Sequence, residues 1–92
     1  MIGIISADMR TKHQRTLERI FKRPTPANIR WLDIVALLQA IKVEVSQRSG
    51  SRALLKKGGV RMVVHRPHPE PQTGKATVRA IAEYLEALGE KP

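Results

Sequence analysis

Residues 42–65, KVEVSQRSGSRALLKKGGVRMVVH, decide the fold. In KVEVSQ, polar and apolar side chains alternate with the period of a half-buried strand. SRALLKK and VRMVVH are two further strand candidates, and Gly58 and Gly59 between them form a two-residue hairpin signal. The stretch predicts a three-stranded antiparallel meander. Such a sheet can bury one face and leave the other open.

On the N-terminal side, WLDIVALLQAI is dense in helix formers. Leu32 or Ile34 shares a stripe with Leu37, Leu38 and Ile41, and Asp33 stands in the first turn, where the helix dipole favours an anion. This predicts a core helix over 32–41. On the C-terminal side, RPHPEPQTG is too rich in proline to continue a central strand. KATVRAIAEYLEALG then sets Val78, Ile81, Ala82, Leu85 and Leu88 on one face and reaches Gly89, a natural C-cap. A second core helix over 75–88 follows, with Thr73 as its expected N-cap. Farther upstream, RTKHQRTLERIFK (residues 10–22) puts Leu17, Ile20 and Phe21 at helical spacing, and Pro24 and Pro26 stop the short helix this predicts. The expected organisation is an N-terminal extension over 1–30, with a short helix and a proline-rich connection, and a domain over 31–92. The class is α+β, in the order helix, three-stranded antiparallel sheet, helix.

A chain of 92 residues holds a single small core, and its 41% apolar content argues against wholesale disorder. Aromatic residues make up only 3%, so aliphatic side chains must supply the packing. Seventeen Lys and Arg against eight Asp and Glu give a net charge of +9, which favours a polyanionic partner. The density peaks mid-chain, where Lys42, Arg48, Arg52, Lys56, Lys57, Arg61 and Arg66 face one acid, Glu44. Without cysteine there is no disulfide framework, thiolate nucleophile or Cys-based zinc site. The opening MIGIISADM lacks the basic start of a secretory signal, and no run approaches transmembrane length, so a cytoplasmic location without membrane association is expected.

Histidine is the side chain suited to proton transfer near neutrality, and the chain has His13, His65 and His68. His13 sits among Arg10, Lys12 and Arg15 and reads as a solvated surface residue. His65 closes the third strand, and His68 follows in the rigid HRPHP turn. Zinc would need a further ligand, and only Glu70 is near, so no metal or other cofactor is expected. One of the two imidazoles can equally cap the turn by bonding a backbone group. On the functional reading, His65 or His68 acts as general base or acid on RNA. Metal-independent cleavage needs a base for the 2′-hydroxyl, an acid for the 5′-oxygen and a cation for the phosphorane, a role open to Arg52, Arg61 and Arg66. The candidate catalytic residues are thus His68, His65 and Arg52. The candidate RNA-binding residues are Arg48, Ser51, Arg52, Lys56, Lys57, Arg61, Arg66 and Lys75, the last at a helix start whose free N–H groups suit a phosphate. No P-loop, Rossmann fingerprint, paired-carboxylate arrangement or serine-hydrolase elbow occurs.

The helix WLDIVALLQAI, the step RSGSR, the hairpin into VRMVVHRPHP and the turn into TGKATVRAIAEYLEALG together resemble the HicA family of bacterial toxins, from about Trp31 to Gly89. The resemblance implies a fold like the double-stranded-RNA-binding domain, cleavage of messenger RNA, and neutralisation by a HicB-like antitoxin in a hetero-oligomer. It also implies a catalytic histidine after the Gly-Ser step, a place held here by Arg52. Arginine stays protonated and can bind phosphate, but it is a poor proton shuttle. Three courses are open: cleavage moved to His65 or His68, RNA binding without cleavage, or a subgroup with another partner and target. A small DNA-binding regulator would need a helix-turn-helix pair, and none is visible.

Overall fold

The computed structural model describes residues 2–67 and 71–92, with side-chain surroundings from residue 11 onward. The elements are α1 (Ile2–Phe21), α2 (Trp31–Ala40), β1 (Glu44–Arg48), β2 (Arg52–Lys57), β3 (Val60–His65) and α3 (Lys75–Ala87). The fold is α+β, and from α2 onward the order is the expected helix, three strands, helix. The strands pair antiparallel in chain order, β1-β2-β3. Gly58, at φ 57°, takes the left-handed backbone that the first position of the two-residue β2–β3 turn requires.

Helix α2 packs on β1 and α3 on β3, while α1 packs on both helices. The core between them is aliphatic, with Ile20, Ile29, Ile34, Leu38, Leu55, Val78, Ile81 and Leu85 fully buried. On α2 the buried stripe runs through Trp31, Ile34, Leu37 and Leu38, whereas Leu32 is 75% exposed. Helix α1 runs far beyond the short helix expected over 10–22, because upstream of Arg10 only Gly3 weakens an otherwise helix-compatible run. Its Leu17 and Ile20 join the same cluster as α2, α3 and the sheet.

The connection from α2 into β1 is tighter than alternation in KVEVSQ implies. Lys42 adopts φ 72°, its N–H donates to the Gln39 carbonyl at 3.0 Å, and the Val43 N–H donates to the Leu38 carbonyl at 2.8 Å. This is a Schellman closure with lysine where glycine is usual. The strand therefore starts at Glu44. The Lys57 ammonium supports the same helix end by donating to the Ile41 carbonyl at 2.7 Å.

The two helix starts are tied together. Arg30 and Gln72 form an isolated antiparallel bridge, the Trp31 N–H donates to the Pro71 carbonyl at 3.0 Å, and the Thr73 N–H donates to the Ile29 carbonyl at 2.8 Å. This pairing turns Thr73 inward. It is fully buried, with no partner for its hydroxyl among the described residues, and Gly74 takes the N-cap position instead.

Tyr84, 1% exposed, donates its hydroxyl to the Val60 carbonyl at 2.9 Å and so joins α3 to the start of β3. Burial raises its phenol above the ordinary value of 10.0, so the fold favours the neutral form. That contribution is complete below pH 10.0 and is lost as pH rises through the raised value. Tyr84→Phe is expected to cost about 1 kcal/mol at neutral pH and to remove the alkaline loss. The chain has one tyrosine, so phenolate absorbance reports its ionisation directly. Ionisation above the ordinary value of 10.0 is expected in the folded protein; titration at the ordinary value in a still-folded protein would contradict the burial argument.

Candidate nucleic-acid interface

The strand registers assign side chains to faces. Arg52 pairs with His65, Leu54 with Val63, and Lys56 with Arg61 across β2 and β3, while Arg48, Ser46 and Glu44 pair with Arg52, Leu54 and Lys56 across β1 and β2. The helices cover the other face, where Ala53, Leu55 and Val64 are buried. The open face thus carries three rows: Arg48, Arg52 and His65; Ser46, Leu54 and Val63; Glu44, Lys56 and Arg61.

A two-residue turn makes its flanking pair, Lys57 and Val60, a hydrogen-bonded one, so alternation makes Arg52–His65 a non-hydrogen-bonded pair. Side chains of such pairs approach most closely, with Cβ atoms roughly 4.5–5.5 Å apart. His65 and Arg52 therefore stand side by side across the two strands, both exposed on the open face. Arg52 is tied through its side chain and His65 through its backbone. The Arg52 Nε donates to the Ser49 carbonyl at 3.0 Å, and the Thr77 hydroxyl on α3 donates to the His65 carbonyl at 3.3 Å. Gly50 and Ser51, at φ 71° and 60°, curl the β1–β2 turn so that Ser49 lies beneath Arg52. Arg48, Arg52, Arg61, Leu54 and Val63 line one groove. Val63 is 54% exposed and gives that groove an apolar patch.

Of the residues singled out from the sequence, Arg48, Arg52, Lys56, Arg61 and His65 come together on this face. Ser51 sits half-buried in the turn and accepts the Arg66 N–H at 2.7 Å through its carbonyl. Lys57 turns to the helical side and Arg66 lines a separate groove with Trp31, Leu32 and Val35, its Nε buried without a partner among the described residues. Lys75 is exposed at the start of α3, on a different element from the sheet cluster. His68 and Glu70 lie outside the described residues. His13 is half-buried with its Nδ1 enclosed, rather than solvated. Ser49 and Thr77, which hold Arg52 and His65, had no signal beyond their place beside the turn and in the first turn of α3.

The family model described as HicA toxin of bacterial toxin-antitoxin matches residues 31–89, well over half of the chain. The chain belongs to the HicA toxin family. Within this HicA member the matched span begins at the first residue of α2 and closes just past α3, so it includes the whole sheet and its two covering helices. Helix α1 precedes it. No curated protein and no solved structure gives a significant match. Among the described residues, no helix is long and apolar enough to cross a membrane.

Proposed function

We propose that this HicA-family toxin binds messenger RNA on the open face of its sheet and cleaves it without a metal, with His65 as the proton-transfer group. The observation that supports this is the register pairing of Arg52 with His65. The family's histidine position after Gly-Ser is arginine here, but the directly opposite residue on the same face is an imidazole. In the proposed reaction His65 takes the 2′-hydroxyl proton, and the 2′-oxygen bonds to the adjacent phosphorus. Arg52 balances the phosphorane charge, and the 5′-oxygen leaves with a proton from His68 or solvent. Arg48, Lys56 and Arg61 hold flanking phosphates, which fix position rather than sequence. A HicB-like antitoxin neutralises the toxin in a hetero-oligomer by covering this cationic face, and the pair acts in the cytoplasm.

A second reading, an RNA-binding module that no longer cleaves, is favoured by Arg52 itself, a permanent cation in the expected base position. Incubating end-labelled RNA with the full chain in excess chelator separates the two. Discrete cuts support the nuclease. Intact RNA that is bound, with affinity falling steeply as salt rises, supports the module. Absence of both cleavage and binding overturns both readings.

A further inference from the structure

Helix α1 precedes the segment matched by the family, and its exposed side has no role in the site above. Lys12, Arg15, Arg19 and Lys22 recur at steps of three, four and three residues, which places them on one stripe running to just past the helix end. Leu17 and Ile20 turn away from it into the core, and the buried Thr16 lies at its edge. Lys12, Arg15 and Arg19 line a groove with Thr11, Thr16 and Asp33. Two of the cations have local duties. Lys12 stands 3.9 Å from the Asp33 carboxylate, and the Arg19 guanidinium bonds the Asn28 side chain. Arg15 and Lys22 hold no side-chain partner among the described residues. Glu18, the acid among the described α1 side chains, accepts from Gln14.

We propose that this stripe is a second phosphate-backbone surface, which grips RNA away from the open face and takes no part in the chemistry. The proposal rests on the reading of the protein as an RNA-binding toxin. From Lys12 to Lys22 the stripe runs about 15 Å, long enough to meet several successive phosphates of one strand. Since α1 packs on the helical side, the stripe and the sheet address different stretches of a bound RNA. Two linked contacts raise the effective concentration of substrate at the sheet. An acidic membrane surface fits less well, because an interfacial helix needs a free apolar face, and among the described α1 side chains Leu17 and Ile20 are spent on the core. A protein partner fits less well too. Among the described residues, the exposed large apolar side chains, Leu32 and Val63, line other grooves, so the stripe between Lys12 and Lys22 has no apolar anchor beside it there.

The test measures RNA affinity against salt for the full chain, for R15Q/K22Q, for the charge-keeping R15K/K22R and for the open-face control K56Q/R61Q, with a melting temperature for each. R15Q/K22Q is expected to flatten the slope of log affinity against log salt by about 1.4, two phosphate contacts' worth, with the melting temperature unchanged. R15K/K22R should keep the parental slope. A parental slope in R15Q/K22Q while the open-face control flattens overturns the α1 surface alone. Absence of salt-dependent RNA binding by the full chain itself overturns the RNA-binding reading on which the proposal rests. A slope lost in R15K/K22R as well as in R15Q/K22Q also overturns the proposal, since charge then is not what the stripe supplies. Weakened antitoxin capture with an unchanged RNA slope overturns it in favour of a protein surface.

Discussion

His65→Ala is expected to slow RNA cleavage by about 10²–10⁴-fold, the range for losing a general acid–base group, while RNA binding changes little. The reason lies in the register: His65 stands opposite Arg52 on the exposed face, and its backbone is held by Thr77. On the proposed mechanism, removing the imidazole takes away the proton acceptor but leaves Arg48, Arg52, Lys56 and Arg61 in place to hold phosphate. Arg52→Ala should show the complementary pattern, with weaker binding, a shallower salt slope and a smaller loss in single-turnover rate at saturating RNA. Single-turnover cleavage and equilibrium binding, measured on both variants, separate the two roles. Full activity in His65→Ala would remove it from the chemistry and leave His68 as the remaining candidate among the two site histidines. Thr77→Val, which releases the carbonyl behind His65, supplies a finer check: a positioning role predicts a partial rate loss at unchanged affinity.

Ile20→Ala is expected to destabilise the fold by about 2–5 kcal/mol, the range for truncating a fully buried aliphatic side chain, against a total of about 5–15 kcal/mol for native proteins. Ile20 has no solvent exposure and packs in one cluster with residues of α2, α3 and the sheet. It lies outside the family-matched segment, so the effect tests whether residues 1–30 are an appendage or a part of the core. Urea unfolding followed by Trp31 fluorescence reads it directly, because the indole is itself buried at the start of α2. A single cooperative transition at much lower urea is the expected result. An unchanged midpoint would mean that α1 can leave without loss, and would make the 1–30 boundary a true domain edge.

The sheet was legible in the sequence because its signals are local. A Gly-Gly pair between two apolar strands has few other uses, and the strands begin and end within about two residues of where alternation puts them. The covering helices were legible through their apolar period, as was the halt at Gly89. Other features depend on contacts that no local pattern encodes. Lys42 takes a left-handed backbone because the Schellman bonds require it there, not because lysine favours it. Thr73 reads as a cap from its neighbours, yet the Arg30–Gln72 bridge turns it inward. For the candidate site, the cations were found but grouped by their density along the chain. Grouping them by face, which the two-residue turn already permitted, would have kept Arg52, Lys56, Arg61 and His65 together and set Lys57 and Arg66 aside.

The chain-order sheet has a kinetic consequence. Each strand pairs only with its sequence neighbour, through loops of a few residues whose closure is fast and entropically cheap. The distant contacts include those of α1 with α3, of Thr25 with Arg79, and of residues 29–31 with 71–73. Folding speed is therefore governed by how soon the two ends of the chain find each other across a meander that can already be formed.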